Sequence, residues 1–451
     1  MQSLRQLLIA TFLLVTAIHL SPAHGFAQSN ISGLLQNYSA IQTTPDHEFI
    51  TVRNRLRLEL SRTIRAGNIY AEADFINRYQ HSGESELLIR EAYAEWFTSN
   101  YDIRLGAQRI IWGNSDTDFV NDILTPVDLR EFLTQDPGDL RVGLNALNIT
   151  RYIGAHSLQF VAAPVRQPNL LPEPESRWFP VQTTEIPLDI SFRESNDGYN
   201  ITDVQLALQF RWRPGGSFDA DLMVYNWAHP MPAYAINFQD PEFGTFFPTI
   251  NLIETYKTTP MVGYSQSWQA SDSWIIKSEG LFTTERLFTF LPVSVDRLED
   301  ALDNPAIAFE VAQEFEIRDD GYLLTKPWYK QMIGLQTDWL GTTISLQAFL
   351  EIIMNYEDRI LPQEYFPYAS ILLQRSFMRD RLQTVAVGRY NIFGKDYWTQ
   401  LQAIYEIDDG FEIALGTNLF GGKSISPFYG HFTFNQFKEN SFLFSQISFY
   451  F

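Results

Sequence analysis

The chain has 451 residues, and 33 Lys and Arg against 53 Asp and Glu give it a formal net charge of −20. This charge argues against a nucleic-acid partner, because such binding needs a basic surface. Hydrophobic residues make up 45 % of the chain, which excludes a compositionally disordered protein. Cysteine is absent, so the chain has no disulfide, no Cys-ligated metal centre and no Cys nucleophile.

Residues 1–27 have the layout of a secretory signal peptide. A single arginine precedes an apolar run from Leu7 to about Leu20, and Gly25 and Ala27 offer small residues for cleavage. An uncleaved membrane anchor is the alternative, but the apolar run is short and ends at a Ser-Pro pair. We therefore expect an exported protein in which residues 28–451 form a single domain.

Beyond residue 27, apolar and polar residues alternate with a period of two. In residues 202–214 every second residue is apolar, and in residues 52–62 Leu56, Leu58 and Leu60 alternate with charged residues. No apolar run follows that is long enough for a membrane-spanning helix. The period predicts half-buried strands, because successive side chains of a strand point to opposite faces.

The alternation predicts eighteen strands, or sixteen if one hairpin is misplaced. An even number is expected for a single-chain bacterial barrel. The predicted strands lie near residues 31–42, 48–64, 68–79, 86–98, 101–112, 142–153, 156–165, 201–213, 217–228, 256–269, 273–285, 327–339, 342–356, 367–378, 381–393, 396–408, 411–421 and 440–451.

Two features favour a membrane barrel over a soluble sandwich or jelly roll. Short turns such as residues 214–217 alternate with far longer connections at the other end of the strands. Tryptophans flank both strand ends, as in two aromatic girdles: Trp212, Trp268, Trp274 and Trp339 lie beside short turns, and Trp112 and Trp227 lie at the opposite ends. The sequence therefore predicts an all-β fold, a transmembrane antiparallel up-and-down β-barrel with short periplasmic turns and long extracellular loops.

The last strand resembles that of a known class of proteins. Residues 445–451 alternate and end on Phe451, with Phe449 two positions earlier, and this resembles the terminal signature of Gram-negative outer-membrane barrels. Residues 105–113 and 122–126 resemble a segment of large proteobacterial barrels, some of them grouped near porins and alginate-export-like channels. The resemblance implies that Phe449 and Phe451 are an assembly signal read by the barrel-assembly machinery. It also implies a place in the outer membrane, among its lipids and lipopolysaccharide.

Charged residues fall on the predicted inner face of the second to fifth strands. They are Arg53, Arg55 and Arg57 on the second strand, Glu72 and Asp74 on the third, Glu91 and Glu95 on the fourth, and Arg104 on the fifth. One interpretation is a polarised wall that orients a charged solute. The other is a set of cross-strand ion pairs in a water-filled interior. Three arginines at this spacing repel one another, so we expect acidic groups to face them.

The connection of residues 113–141 supplies such groups. Its acidic residues are Asp116, Asp118, Asp122, Asp128, Glu131, Asp136 and Asp139, against Arg130 and Arg141. Thr125 followed by Pro126 predicts the start of a short helix within it. In general porins the third extracellular loop folds into the lumen, and loop order implies the same here. We hypothesise an acidic constriction beside the arginines; a lid over the mouth is the alternative.

The sequence contains no hydrolase elbow, zinc-protease pair or phosphate-binding glycine loop, so we expect no enzyme, no metal site and no cofactor. The function that it favours is a porin-like outer-membrane channel that passes small or charged solutes passively. One alternative is an export channel for a small molecule or polymer, partnered with an inner-membrane transporter. The other is a loop-plugged barrel that acts as a receptor, adhesin or structural protein.

Overall fold

The computed structural model describes residues 29–45, 47–79, 84–179, 190–193, 203–239, 249–304, 306–307, 310–311, 314, 318–423 and 433–451. The predicted signal peptide, residues 1–27, lies outside the described residues. The described strands are β1 Ser29–Gln42, β2 Phe49–Ile64, β3 Gly67–Arg78, β4 Glu84–Phe97, β5 Tyr101–Gln108, β6 Leu144–Ile153, β7 His156–Ala163, β8 Ile190–Arg193, β9 Gln205–Trp212, β10 Phe218–Ala228, β11 Ala233–Gln239, β12 Thr249–Thr255, β13 Thr258–Gln269, β14 Trp274–Phe290, β15 Leu323–Trp339, β16 Thr342–Ile353, β17 Ile360–Leu361, β18 Tyr365–Phe377, β19 Leu382–Asn391, β20 Asp396–Asp408, β21 Phe411–Gly422 and β22 Phe442–Tyr450.

Eighteen of these strands form a closed antiparallel ring, from which β8, β11, β12 and the two-residue β17 are left out. Each strand of the ring pairs with the next one along the chain, and β22 pairs with β1 with Leu34 opposite Tyr450. All eighteen predicted strands are present with ends that differ by a few residues, so the count of eighteen is confirmed and sixteen is wrong.

The barrel wall is polar inside and apolar outside. On β9, Gln205 and Gln209 are buried, whereas Leu206, Leu208 and Phe210 are about two-fifths exposed. A soluble sandwich would bury that apolar face in its core. An apolar outer face is what a membrane barrel presents to lipid, and it decides between the two interpretations of the alternation.

The aromatic girdles differ from the prediction at one end. Trp212, Trp268, Trp274 and Trp339 are exposed on the outer face beside the short turns, as expected. Trp112 and Trp227 are buried, so their predicted girdle role is wrong. Trp112 lies beyond the end of β5 and packs against Tyr225, with ring centroids 5.3 Å apart and the ring planes tilted by 50°. The exposed aromatics near the long-loop ends include the phenylalanine and tyrosine residues Phe49, Tyr79, Tyr365, Tyr390 and Tyr397.

The long-loop end of the interior is packed by two apolar clusters. The larger contains residues of β6 to β18 together with Trp112, Val120, Ile123 and Leu124 of the third loop. The smaller is aromatic and joins β1, β2, β20, β21 and β22 to Trp178, Phe434 and Phe437. Loop segments therefore occupy part of the barrel interior.

The long connections contain structure that the alternation did not predict. Strands β8, β11 and β12 form a separate sheet, in which β8 pairs parallel with β12. Helix α1, Val295–Asp303, buries Val295, Leu298 and Ala301. No helix in the described part of the chain is long and apolar enough to cross a membrane.

Candidate functional site

The third long connection, residues 109–143 between β5 and β6, is here called loop L3; it consists of lobe A, residues 109–125, and lobe B, residues 126–143. Thr125 closes lobe A, because its hydroxyl accepts a hydrogen bond from Ile110 N–H and donates one to Ile110 C=O, both 2.8 Å. The predicted helix after Thr125 is therefore wrong. Val127 is extended and bridges Arg141, and the helical structure described in lobe B is limited to single turns at Phe132–Thr134 and Pro137–Asp139.

Lobe A is held by Glu279, a buried carboxylate on β14. Its oxygens accept hydrogen bonds from the backbone N–H groups of Asn114, Ser115 (2.6 Å) and Asn121 (3.3 Å). Gly113 permits this approach, because it has a φ of +99° and a Cβ there would lie 2.6 Å from Glu279 Oε2. A strand six places around the ring from β5 thus fixes the backbone of lobe A.

Asp116 lies at the tip of lobe A and contacts two neighbouring regions of the wall. Its carboxylate is 2.8 Å from Lys277 Nζ on β14 and accepts hydrogen bonds from Ser345 (2.7 Å) and Gln347 (3.0 Å) on β16. The carboxylate is about one-quarter exposed. Asp116 therefore joins the loop to the wall opposite β4 and β5.

Asp118 makes the farthest contacts of lobe A. It lies 3.3 Å from Lys330 Nζ on β15 and 3.3 Å from Arg389 Nη1 on β19, and it accepts a hydrogen bond from the Tyr368 hydroxyl. Burial disfavours its ionisation, but the two cations and the hydroxyl outweigh burial and lower the pKa of Asp118 to about 2. The carboxylate is therefore ionised at neutral pH.

The three arginines predicted on the inner face of β2, Arg53, Arg55 and Arg57, are here called the arginine ladder and pair with lobe B. Arg53 Nη1 lies 2.5 Å from Glu131. Arg55 Nη1 lies 2.5 Å and Arg57 Nη2 2.7 Å from the two oxygens of Asp139. The acidic loop thus faces the ladder, and its carboxylates relieve the repulsion among the three guanidinium groups.

The pKa values in lobe B follow from these contacts. Burial opposes ionisation of Glu131, but Arg53 and Arg78 outweigh it and lower the pKa of Glu131 to about 2. The same balance, with Arg55 and Arg57 as the nearest cations, lowers the pKa of Asp139. Burial and the neighbouring Asp139 instead raise the pKa of Asp136, for which no ion pair is described.

A bulge in β4 brings two consecutive charged residues inside. The register between β3 and β4 shifts after Glu72, so both Arg90 and Glu91 are buried in the interior. Arg90 Nε lies 2.8 Å from Asp74, which also accepts from Arg57 Nε at 2.7 Å.

Arg109, at the start of L3, completes the charges of this wall. It pairs with Glu72 and, at 2.9 Å, with Glu91. The predicted wall residues thus form one network of cross-strand and loop contacts.

The remaining predicted residues pair locally. Glu95 and Arg104 on neighbouring strands are 2.8 Å apart. Asp122 pairs with Arg141, and Asp128 lies 2.7 Å from Arg130. Among the described residues, six of the seven loop carboxylates are ion-paired, Asp136 being the exception.

Several partners were missed in the sequence, namely Arg78, Arg90, Lys277, Glu279, Lys330, Tyr368 and Arg389. All lie on inward-facing positions of predicted strands. Applying the same period of two to β14, β15, β18 and β19 would have found five of them. Arg90 could not be found this way, because the bulge breaks the period.

No family model matches this chain, and no curated protein sequence matches it. Solved structures do. The outer-membrane protein OpdK from Pseudomonas aeruginosa aligns with 94 % of this chain and 99 % of its own, at 8 % identity and a TM-score of 0.52. The fold is that of an outer-membrane β-barrel. OccK2 (OpdF) of P. aeruginosa, solved in complex with glucuronate, aligns over 94 % and 97 % at 7 % identity and a TM-score of 0.51. OccAB4 of Acinetobacter baumannii aligns over 94 % and 97 % at 8 % identity and a TM-score of 0.50.

Within the described ranges, no three His, Asp or Glu side chains come together as a metal site would require. Most of the charged groups that L3 shares with β2 to β4 and with β14 to β19 pair with one another.

Proposed function

We propose that the chain is an outer-membrane channel that passes small polar or charged solutes down their gradients, with loop L3 as its constriction. The observation that carries this proposal is the placement of L3. Lobe A contacts β14 to β19, and lobe B contacts β2 to β4. Together the two lobes cross the lumen of an eighteen-strand barrel. A barrel of this size is wide enough for an aqueous path past such a loop.

We propose that paired charges line the constriction. The sequence suggested an acidic constriction, but pairing of six of the seven carboxylates argues against free acidic side chains there. Arg57, Arg109 and Arg389 keep between one-tenth and one-quarter of their side-chain surface exposed. Such groups can exchange a partner carboxylate for a passing anion. The glucuronate bound to OccK2 makes a small organic acid the first solute to test.

The test is single-channel conductance of the refolded barrel in a planar bilayer under a salt gradient, with an empty-membrane control. We expect a stable conductance that a small organic acid reduces transiently as it passes. The variant Arg389→Gln removes one of the partly exposed arginines of the constriction, and Arg375→Gln on the exposed face is its control. A folded barrel without conductance would overturn the channel proposal.

One observation favours a second candidate, a loop-plugged barrel that serves as a receptor, adhesin or structural protein. Two apolar clusters occupy the long-loop half of the interior. If they leave no water path, the refolded barrel will not conduct, and the search then turns to an extracellular ligand.

The outer face and the C-terminal strand offer surfaces for partners in the outer membrane. We propose that lipid and lipopolysaccharide contact the apolar outer face, and that the barrel-assembly machinery reads Phe449 and Phe451, whose rings are exposed and stacked 6.3 Å apart. An export channel would further require an inner-membrane transporter, which co-purification from cross-linked cells would detect.

A further inference from the structure

A cavity of about 240 Å³ lies below loop L3, against the inner faces of β4 to β7 and β9. It is far larger than the roughly 10–15 Å³ that holds one water molecule. Its polar lining includes Asp102, Thr150, Tyr152, Gln159 and Arg211. Asp102, Tyr152 and Arg211 lie next to short turns, so the cavity opens toward the short-turn end of the barrel.

Neutral amides hold Arg211 in place. Its Nη2 donates to Gln159 Oε1 at 3.2 Å, and the same oxygen accepts from Trp112 Nε1 of lobe A at 3.1 Å. Gln159 in turn donates to Asn148 at 3.0 Å, and Asn148 donates to Gln108 at 3.1 Å. This chain of hydrogen bonds orients Arg211 without neutralising it, and it connects the cavity to the constriction loop.

Asp102 and Arg211 are charged groups of opposite sign without an ion-pair partner. Asp102 accepts a hydrogen bond from the Tyr152 hydroxyl, and neither charge has an ion pair within the described part of the chain. The other cations of the cavity differ, because Arg104 pairs with Glu95 and Arg109 with Glu91.

The two unpaired charges come from strands that are not neighbours. β5 and β9 are separated by three strand spacings, or about 14 Å between backbones. Both side chains reach into the cavity between these strands. A ligand that meets both carries a cation and an anion, and the span across these strands, shortened by the two side chains, sets the length of the chain that joins them.

We propose that this cavity, here called the vestibule site, binds a small zwitterion with separated charges, its carboxylate on Arg211 and its ammonium group on Asp102. An ω-amino acid has this chemistry. Each charge of the ligand meets an opposite charge of the cavity. The chain of amide hydrogen bonds holds Arg211 in place before the ligand binds. The site is a property of the folded barrel and goes beyond the proposed passage of solutes, because binding does not require conduction.

The test is binding of 6-aminohexanoate to the detergent-folded full-length barrel, by saturation-transfer NMR and calorimetry. Hexanoate and hexylammonium are the single-charge controls. We expect the zwitterion to bind at least about tenfold more tightly than either, because each end adds a charge-assisted hydrogen bond. Asp102→Asn and Arg211→Gln should each remove that difference. Asp272→Asn and Arg65→Gln, exposed positions in turns at the same end of the barrel, should leave it unchanged.

Equal binding of the zwitterion and its single-charge controls would overturn the vestibule site, and so would unchanged binding in both cavity variants. Heat-modifiable migration in gels establishes that each variant is folded. Conductance is recorded on the same preparations. A conducting barrel without zwitterion binding refutes the site alone, and zwitterion binding without conductance refutes the channel alone.

Discussion

Replacing Glu131 by Gln removes one carboxylate that pairs with a buried arginine, Arg53, and with a partly buried one, Arg78. Arg53 keeps 5 % of its side-chain surface exposed and Arg78 keeps 14 %. In the native state the pKa of Glu131 is about 2 against an ordinary value of 4.5, which corresponds to about 3 kcal/mol of stabilisation at neutral pH. Breaking a buried pair by removing one partner costs about 3–5 kcal/mol, so the two values agree. The variant should therefore lower the free energy of opening of lobe B by about 3 kcal/mol.

The assay is amide hydrogen exchange across residues 126–143 in the folded barrel. A loss of about 3 kcal/mol should speed exchange there roughly a hundredfold, while exchange in the strands of the ring stays unchanged. Asp358→Asn, an exposed loop position, is the matched control. The double variant Arg53→Gln with Glu131→Gln should recover much of the protection, because Arg78 retains Glu86 at 2.9 Å.

Unchanged exchange in a folded Glu131→Gln barrel would refute the reasoning. It would mean that lobe B is held by its apolar contacts, such as Phe132 against Trp178 with centroids 5.6 Å apart, and that the ion pairs contribute nothing measurable.

Two further predictions concern lobe A. The pKa of Asp118 is lowered from 3.8 to about 2, so its ion pairs stabilise lobe A fully above pH 4, and this stabilisation is lost as the pH falls toward 2. Conductance noise should therefore rise reversibly across that range and be absent above about pH 5. Gly113→Ala should displace lobe A from Glu279, since the new Cβ meets that carboxylate and the φ is positive, and limited proteolysis should then cut residues 113–121. Gly138→Ala, which meets nothing within 4 Å, should stay resistant, and equal resistance of the two variants would contradict the contact.

Much of the fold could be predicted because a strand has a regular, short-range pattern in the sequence. On β9 the alternation from Gln205 to Trp212 indicates which side chains share a face, and the turn residues 214–217 indicate where the chain reverses. The count of eighteen strands, with sixteen as the alternative, and the shared inner face of Arg53, Arg55 and Arg57 follow from this pattern. The predicted acidic partner in L3 also followed, because three like charges on one face require opposite charges nearby.

The conformation of L3 was not predictable from its own residues. Thr125 has the local signature of a helix cap, yet its hydroxyl binds the backbone of Ile110, and tertiary contact overrides the local preference. Trp112 lies at the end of the predicted fifth strand, and this position predicted a place in the girdle. In the structure its side chain points inward and packs on Tyr225.

The sequence by itself determined the strands to within one hairpin, the alternation of polar and apolar side chains, and the presence of an acidic loop beside a basic ladder. These depend on residue types at short, regular spacing. Only the tertiary structure decided which charges meet. Asp118 contacts Arg389 across 271 positions, and Asn114 contacts Glu279 across 165. No local pattern records such pairs, because the closure of the ring brings them together.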